Sequence, residues 1–430
     1  MRRTIQNFDA LATSALRLDA LEIAEAGYAA IDIGNALPRA LCVEDGALRL
    51  GGRTFPLVGR RVFFVGVGKC AFAAAKAVKA ILGNALESGI AFDVSSADIP
   101  ELAKIEAYIG THPLPSEANE RATRRVIEFL SGRTKDDLVI VLISGGGSAL
   151  LCLPPATMTC VDDGALWSAL TARGASIQDI NTVRKHTSRA RGGGLAAAAY
   201  PAEIVSCIIS DVPGDDIGYI ASGPTALDTS TIADARAILA RYGVASASNV
   251  ECIETPKDPK YFERVTNILL LSSRDALAAM KEEAERRGYA AVVENDRVTG
   301  EARDIGRAIA TKIHDSPAKT ALLYAGESTV TISASAGNGG RNQELALAAL
   351  PELHTDELVL SFASDGHDNT DHAGAIADVN SFAHAQEKNL SPTEFLDEHR
   401  SYDFFLKTGD ALLTGYTGSN VSDLIIAMKQ

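Results

Sequence analysis

Residues Asp137–Leu153 read DLVIVLISGGGSALLCL. Leu138 to Ile143 is an unbroken apolar run of strand length, the pattern of a strand covered on both faces. Ser144, Gly145, Gly146, Gly147 and Ser148 then remove nearly all side-chain bulk before the helix-favouring Ala149–Leu151. Glycines let a main chain approach a ligand closely, and N–H groups at such a turn suit a phosphate or carboxylate. A lone glycine loop is equally compatible with a tight turn that binds nothing. The decision rests on the rest of the chain.

Upstream, Arg61–Val67 is a second strand that ends in VGVGKCA, and the alanine-rich Phe72–Leu82 follows as a helix. Gly66, Gly68 and Ala71 satisfy the loose dinucleotide pattern G-x-G-x-x-A, with Asp93 in reach of a ribose-binding role. Lys69, inside that turn, is more informative, because a lysine at a strand's carboxyl end can reach a phosphate. A solvent-facing lysine is the plain alternative. His112, Pro113, Pro115 and Ser116 then lead into a helix over Glu117–Leu130, capped by Ser116.

Downstream, Thr182–Leu195 reads TVRKHTSRARGGGL, placing Arg184, Lys185, Arg189 and Arg191 close together; on a helix Lys185 and Arg189 would share one face, solvated or functional. Glu203–Ile209 is a strand that empties into SDVPGDD, where Asp211, Asp215 and Asp216 could hold Mg²⁺ or accept a hydroxyl proton, or simply make a turn. A polar stretch from Tyr242 to Tyr261 marks a domain boundary, and Asn267–Leu271 is expected to open a second βα series. Within that series the strand Ala321–Tyr324 reaches Gly326 and Glu327, and GNGGRNQE sets Arg341 and Asn342 at a helix start, where an arginine fork could meet a phosphate. Leu358–Phe362 runs into SDGHDNTDH, an oxygen-rich stretch containing Asp365 that suits hydrated Mg²⁺ or a plain turn.

The chain of 430 residues carries a formal charge of -14, with 46% hydrophobic and 22% charged residues, which disfavours nucleic acid and anionic membranes as partners. Six scattered cysteines lack zinc-site spacing and read as buried thiols of a reducing, cytoplasmic compartment. Strands that repeatedly end in Gly, Ser, Asp or Lys describe an α/β protein with its site beyond the strand ends. We expect two α/β domains: residues 1–260, Rossmann-like with a mostly parallel sheet, and a smaller domain over 261–430. Anion-cradling loops, separate cations and several carboxylates suit phosphoryl transfer. Neither G-x-S-x-G nor the P-loop pattern occurs.

The runs LISGGGSALL, INTVRKHTSRARGGGLA, ISDVPGDDIGYIASGPT, GGRNQELALA, SDGHDNTDHAGA and TGYTGSNVSDL closely resemble the class II glycerate 2-kinases. That resemblance, running from about the first helix onward, implies ATP-dependent phosphorylation of D-glycerate at its 2-hydroxyl with Mg²⁺, in a cleft between two α/β domains. It implies catalytic roles for Lys69, Asp211 and Arg341. Ser144 to Ser148 would cradle phosphate or the substrate carboxylate, Asn181 and Lys185 would fix the acid, and Glu327 and Asn342 would add binding contacts. Asp211 and Asp365 are the expected Mg²⁺ carboxylates. The partner is a small anionic sugar acid, with a homodimer left open. The chain departs from the family's usual pattern at His367, Asn369 and His372 and at Tyr416, in loops that bear on the acceptor. A four-carbon aldonate is therefore an alternative substrate, an NAD(P)-dependent hydroxypyruvate reductase the rival from another class, and a non-catalytic metabolite sensor the third reading.

Overall fold

The computed structural model describes residues 3–94, 102–212, 214–244, 250–332 and 337–430. Pro213 of the expected Pro-Gly turn and residues 245–249 of the polar boundary stretch lie outside them. The chain divides into two compact units, one continuous over 33–270 and one discontinuous, made of 1–32 and 271–430.

The continuous unit opens with a three-stranded antiparallel sheet of β1 (Leu41–Glu44), β2 (Ala47–Leu50) and β3 (Arg53–Pro56). Its main sheet holds β4 (Arg61–Val67), β5 (Leu86–Asp93), β6 (Ile105–Ile109), β7 (Asp137–Ile143), β8 (Glu203–Ile209) and β9 (Val265–Leu271). The order is β6-β5-β4-β7-β8-β9, and every pairing from β6 through β8 is parallel. Each residue of β7 is buried, which explains the uninterrupted apolar run: helices cover both faces, so no position alternates toward water. Val65, Val67, Ile90, Val141, Ile143 and Ile208 pack into one core. In chain order the first strand of this sheet lies beside the fourth, so the winding reverses between β4 and β7. Ligands of doubly wound sheets bind at such a reversal.

The discontinuous unit has the mixed sheet β10-β11-β15-β12-β13-β14, from β10 (Ala290–Val298), β11 (Thr320–Gly326), β12 (Glu357–Ala363), β13 (Gly374–Asp378), β14 (Ala411–Leu412) and β15 (Asp423–Lys429). β15 runs antiparallel between β11 and β12, so Asp423 stands level with both Gly326 and Ala363. Helix Ala302–His314 covers one face through Ile309 and Ile313.

Two expectations are corrected. The boundary expected at 260/261 falls at 270/271, because β9 joins the first sheet beside β8 instead of opening a second series. Ile204 N donates to Arg264 O at 2.9 Å, and Thr225 Oγ1 donates to Asn267 Oδ1 at 2.7 Å, holding that edge. Residues 1–32 belong with the later part of the chain. Their helix Ala15–Ile31 packs on helix Ser273–Arg286, where a Cβ on Gly27 would lie 2.9 Å from Met280 Cγ. Arg287 pairs with Asp19 at 2.7 Å across the same contact.

Candidate active site

The carboxyl ends of β4 and β7 are sewn together by their own backbones. Ser144 N donates to Val67 O at 3.0 Å, and Lys69 N donates to Gly145 O at 2.9 Å. Gly68 has φ +124°, and a Cβ there would strike Ser144 Oγ and lie 2.6 Å from Ser144 O, so only glycine lets these loops meet. Gly146, at φ +84°, lies between two side chains: a Cβ on it would sit 3.4 Å from both Lys69 Cγ and His112 Cδ2. Lys69 and His112 thus flank the glycine loop. Gly147 N donates to Ser144 O at 3.2 Å, so that amide already serves the turn.

A relay of side chains carries the loop across to the next helix. Ser148 Oγ lies 2.8 Å from Ser222 Oγ, which donates to Asn181 Oδ1 at 2.7 Å. A Cβ on Gly147 would lie 2.6 Å from Ala221 Cβ, so the glycine keeps the two segments in contact. Asn181 projects from helix Ile177–Lys185, and Lys185 at its end donates to Asp228 Oδ1 at 3.2 Å beneath the ring of Tyr219. Burial alone would raise Asp228, but Lys185 and Ser230 hold its carboxyl below the ordinary range. Asp211 follows β8, the neighbour of β7. Burial pushes the Cys70 thiol up to about 12, with smaller contributions from the charges of Asp93 and Asp211.

The basic stretch behaves differently from its expected pattern. The helix ends at Lys185, so Arg189 does not share its face; Arg189 is exposed, while Arg184, Lys185 and Arg191 are buried. Arg191 pairs with buried Asp163 at 2.9 Å. Arg184 is pushed down to about 10 by burial and by Arg191, and its Nε and Nη2 are buried without a hydrogen-bond partner. Asp93 is buried too: it accepts from Phe72 N at 2.9 Å and Val94 N at 2.7 Å, capping helix Ala71–Leu82. A carboxylate so engaged is poorly placed to meet a ribose.

In the discontinuous unit a second constellation gathers where β11 and β12 end and β15 begins. Arg341, first residue of helix Arg341–Ala349, grips Asp423 through Nε and through Nη2 at 3.1 Å, and Nη2 meets Glu327 Oε1 at 3.0 Å. Burial opposes the charge on Arg341, yet Asp423 and Glu327 outweigh it and hold the guanidinium fully protonated. The amino end of that helix, expected to face a phosphate, is taken by the chain itself. Asp368 accepts from Asn342 N at 3.1 Å and Gln343 N at 2.8 Å, and Gly340 permits its close approach. Burial and the charge of Asp423 raise the Asp368 carboxyl to about 6. Asn342 is correspondingly inward-facing, donating to Asp368 Oδ1 at 3.3 Å and accepting from Ser361 Oγ at 2.6 Å. Asp365 is nearly buried and accepts from His367 N at 3.1 Å, while the His367 and Tyr416 rings lie 6.1 Å apart.

Sequence reading did not single out Ser222, Asp228, Asp368 or Asp423, the partners of Ser148, Lys185, the Arg341 helix start and Arg341 respectively. All four stand inside the motifs quoted above or directly beside them. Nothing local distinguishes them from turn residues.

The Lys69 turn and the serine-flanked glycine loop meet at the reversal point of a doubly wound α/β sheet, where sheets of this class bind their ligands. The MOFRL family model matches residues 320–423, and the model described as Domain of unknown function (DUF4147) matches 19–254. A D-glycerate 2-kinase of Thermotoga maritima is 37% identical over 86% of this chain and 90% of its own length. An Agrobacterium vitis protein named, provisionally, a hydroxypyruvate reductase is 40% identical over 85% of this chain and 86% of its own length. The crystal structure of a Thermotoga maritima glycerate kinase superposes with a TM-score of 0.83 at 34% identity, covering 97% of this chain and all of that one. The chain belongs to the MOFRL glycerate kinase family.

Proposed function

We propose that this protein is a glycerate 2-kinase, transferring the γ-phosphoryl group of ATP to the 2-hydroxyl of D-glycerate to give 2-phosphoglycerate and ADP. The observation that carries this reading is the joining of the Lys69 turn to the Ser144–Ser148 loop at the winding reversal, with Asp211 just beyond the end of the neighbouring strand β8. Phosphoryl transfer needs positioning and neutralisation of charge on the moving group. Lys69 supplies a cation there. Ser144 to Ser148 contact phosphate or the substrate carboxylate, with Ser148 oriented through Ser222 and Asn181. Asp211 orients or deprotonates the attacking hydroxyl, and Arg341, fixed by Asp423, stabilises the transferring group.

Asp211 of the continuous unit and Asp365 of the discontinuous unit are, each on its own unit, carboxylates we assign to Mg²⁺ binding, and their oxygen chemistry fits that ion. Bound there, Mg²⁺ would supply charge neutralisation on the phosphates. The reductase reading is disfavoured by Asp93, whose carboxylate caps a helix. Six free cysteines suit a reducing, cytoplasmic setting, and a homodimer is the assembly to look for. Among the described residues no helix is long and apolar enough to cross a membrane.

Coupled ADP release with Mg-ATP tests the reading, offering D-glycerate, L-glycerate, hydroxypyruvate and four-carbon aldonates in parallel. D-glycerate should turn over, and Lys69→Ala and Arg341→Ala should each lower kcat by about 100-fold or more while remaining folded. Near-normal turnover in both variants would sink the assignment of these residues. Oxidation of NAD(P)H by hydroxypyruvate, with no ADP from any acceptor, would replace the kinase with the reductase.

A further inference from the structure

We propose that His314, His354 and Glu357 form a site for one divalent transition-metal ion of the zinc class, apart from the Arg341 constellation of the same unit. The three side chains come from separate pieces of the discontinuous unit: the end of helix Ala302–His314, the turn before β12, and the first residue of β12. One ligand atom of each lies within 4.8 Å of the other two. The imidazole rings stand 4.0 Å apart, and His314 Nδ1 is 3.2 Å from Glu357 Oε1. His354 N donates to Glu357 Oε2 at 2.9 Å, which fixes the carboxylate with its other oxygen toward the rings.

Burial separates the roles. Glu357 is fully buried, whereas His314 and His354 are exposed, so a rigid anionic donor underlies two rings that can turn. Zinc bonds of about 2.0–2.1 Å in a tetrahedron place donors about 3.4 Å apart, a closure that side-chain rotation supplies. Two imidazoles and one carboxylate suit Zn²⁺ or Co²⁺, whereas Mg²⁺ favours oxygen and keeps its waters. Lys429 Nζ, 3.4 Å from Glu357 Oε1, balances the buried charge without the ion. It also donates to His314 O at 2.6 Å, an acceptor it can keep when a metal takes the carboxylate.

The site lies at the far end of β15 from the Arg341 constellation. Glu357 pairs with Lys429 and Ala363 with Asp423, so six residues of strand, or ~20 Å, intervene. An ion here would tie a helix end, a turn and a strand together and stabilise the unit without touching the reacting groups.

The full-length chain, stripped with a chelator, would be titrated with Co²⁺ in excess Mg²⁺, following visible absorption, and then challenged with Zn²⁺. One Co²⁺ equivalent that resists Mg²⁺ and yields to Zn²⁺ is expected. His314→Ala and His354→Ala, both at exposed positions, should each weaken it by at least about tenfold, and Lys429→Met should tighten it. Zn²⁺ should raise the melting temperature of the wild type but not of the double histidine variant. The proposal is overturned if the double variant binds Co²⁺ as the wild type does, or if no Mg²⁺-resistant Co²⁺ binds at all.

Discussion

Arg341 shows what a single side chain can and cannot disclose. Its place at a helix start beside GNGG was readable, because glycines followed by a helix-favouring run mark an amino terminus. Its partners were not. Asp423 reaches it because β15 lies between β11 and β12, a pairing of distant segments that no local pattern encodes. For the same reason Asp368, 27 residues beyond Arg341, looked like a turn residue although it caps that helix. If Asp423 positions the guanidinium, Asp423→Asn should lower kcat by up to about 100-fold, since small misplacements of a catalytic group are that costly. KM for glycerate should change far less. Steady-state kinetics at saturating ATP decide it, and an unchanged kcat would remove Asp423 from the mechanism.

Elements were more legible than their surroundings. β4, β7, β8, β11 and β12 all announce themselves as apolar runs, because each is buried on both faces. The Thr182–Leu195 stretch was harder: its arginines suggested a solvated face, and only the tertiary structure places Asp163 of helix Cys160–Thr171 against Arg191. Burial pushes Asp163 up, but the guanidinium outweighs it and holds the carboxyl below its ordinary range. The resulting stability is present above the unfolded carboxyl value of about 3.9 and is lost as pH falls through the folded one. Arg191→Met, which strands a buried carboxylate, should cost about 3–5 kcal/mol near neutral pH. Urea unfolding of the variant and wild type at pH 7 and again below pH 3 checks this, since the difference should shrink in acid.

At the scale of the molecule, two α/β units were foreseeable from the alternation of runs, and their composition was not. Arg17, from the opening helix, is buried against Asp378 at 2.6 Å and Asp410 at 2.8 Å, and it donates to Ser381 Oγ at 2.8 Å. A buried arginine in a helix carries no mark in the sequence of where its carboxylates lie. Arg17→Met should destabilise the discontinuous unit by about 3–5 kcal/mol. Hydrogen exchange should then quicken in β12 and β13 and leave β4, β5 and β7 unchanged; uniform acceleration across both units would contradict the division. Domains emerging from a ribosome generally fold in the order they are made. Here β15, which stands inside its sheet and not at its rim, is supplied by residues 423–429, so the opening helix is synthesised long before the surface that buries it exists. The 33–270 segment can fold in that interval. Until then Arg17 and its apolar neighbours lack the carboxylates and the surface that bury them, so the discontinuous unit can close only after the last strand has been made.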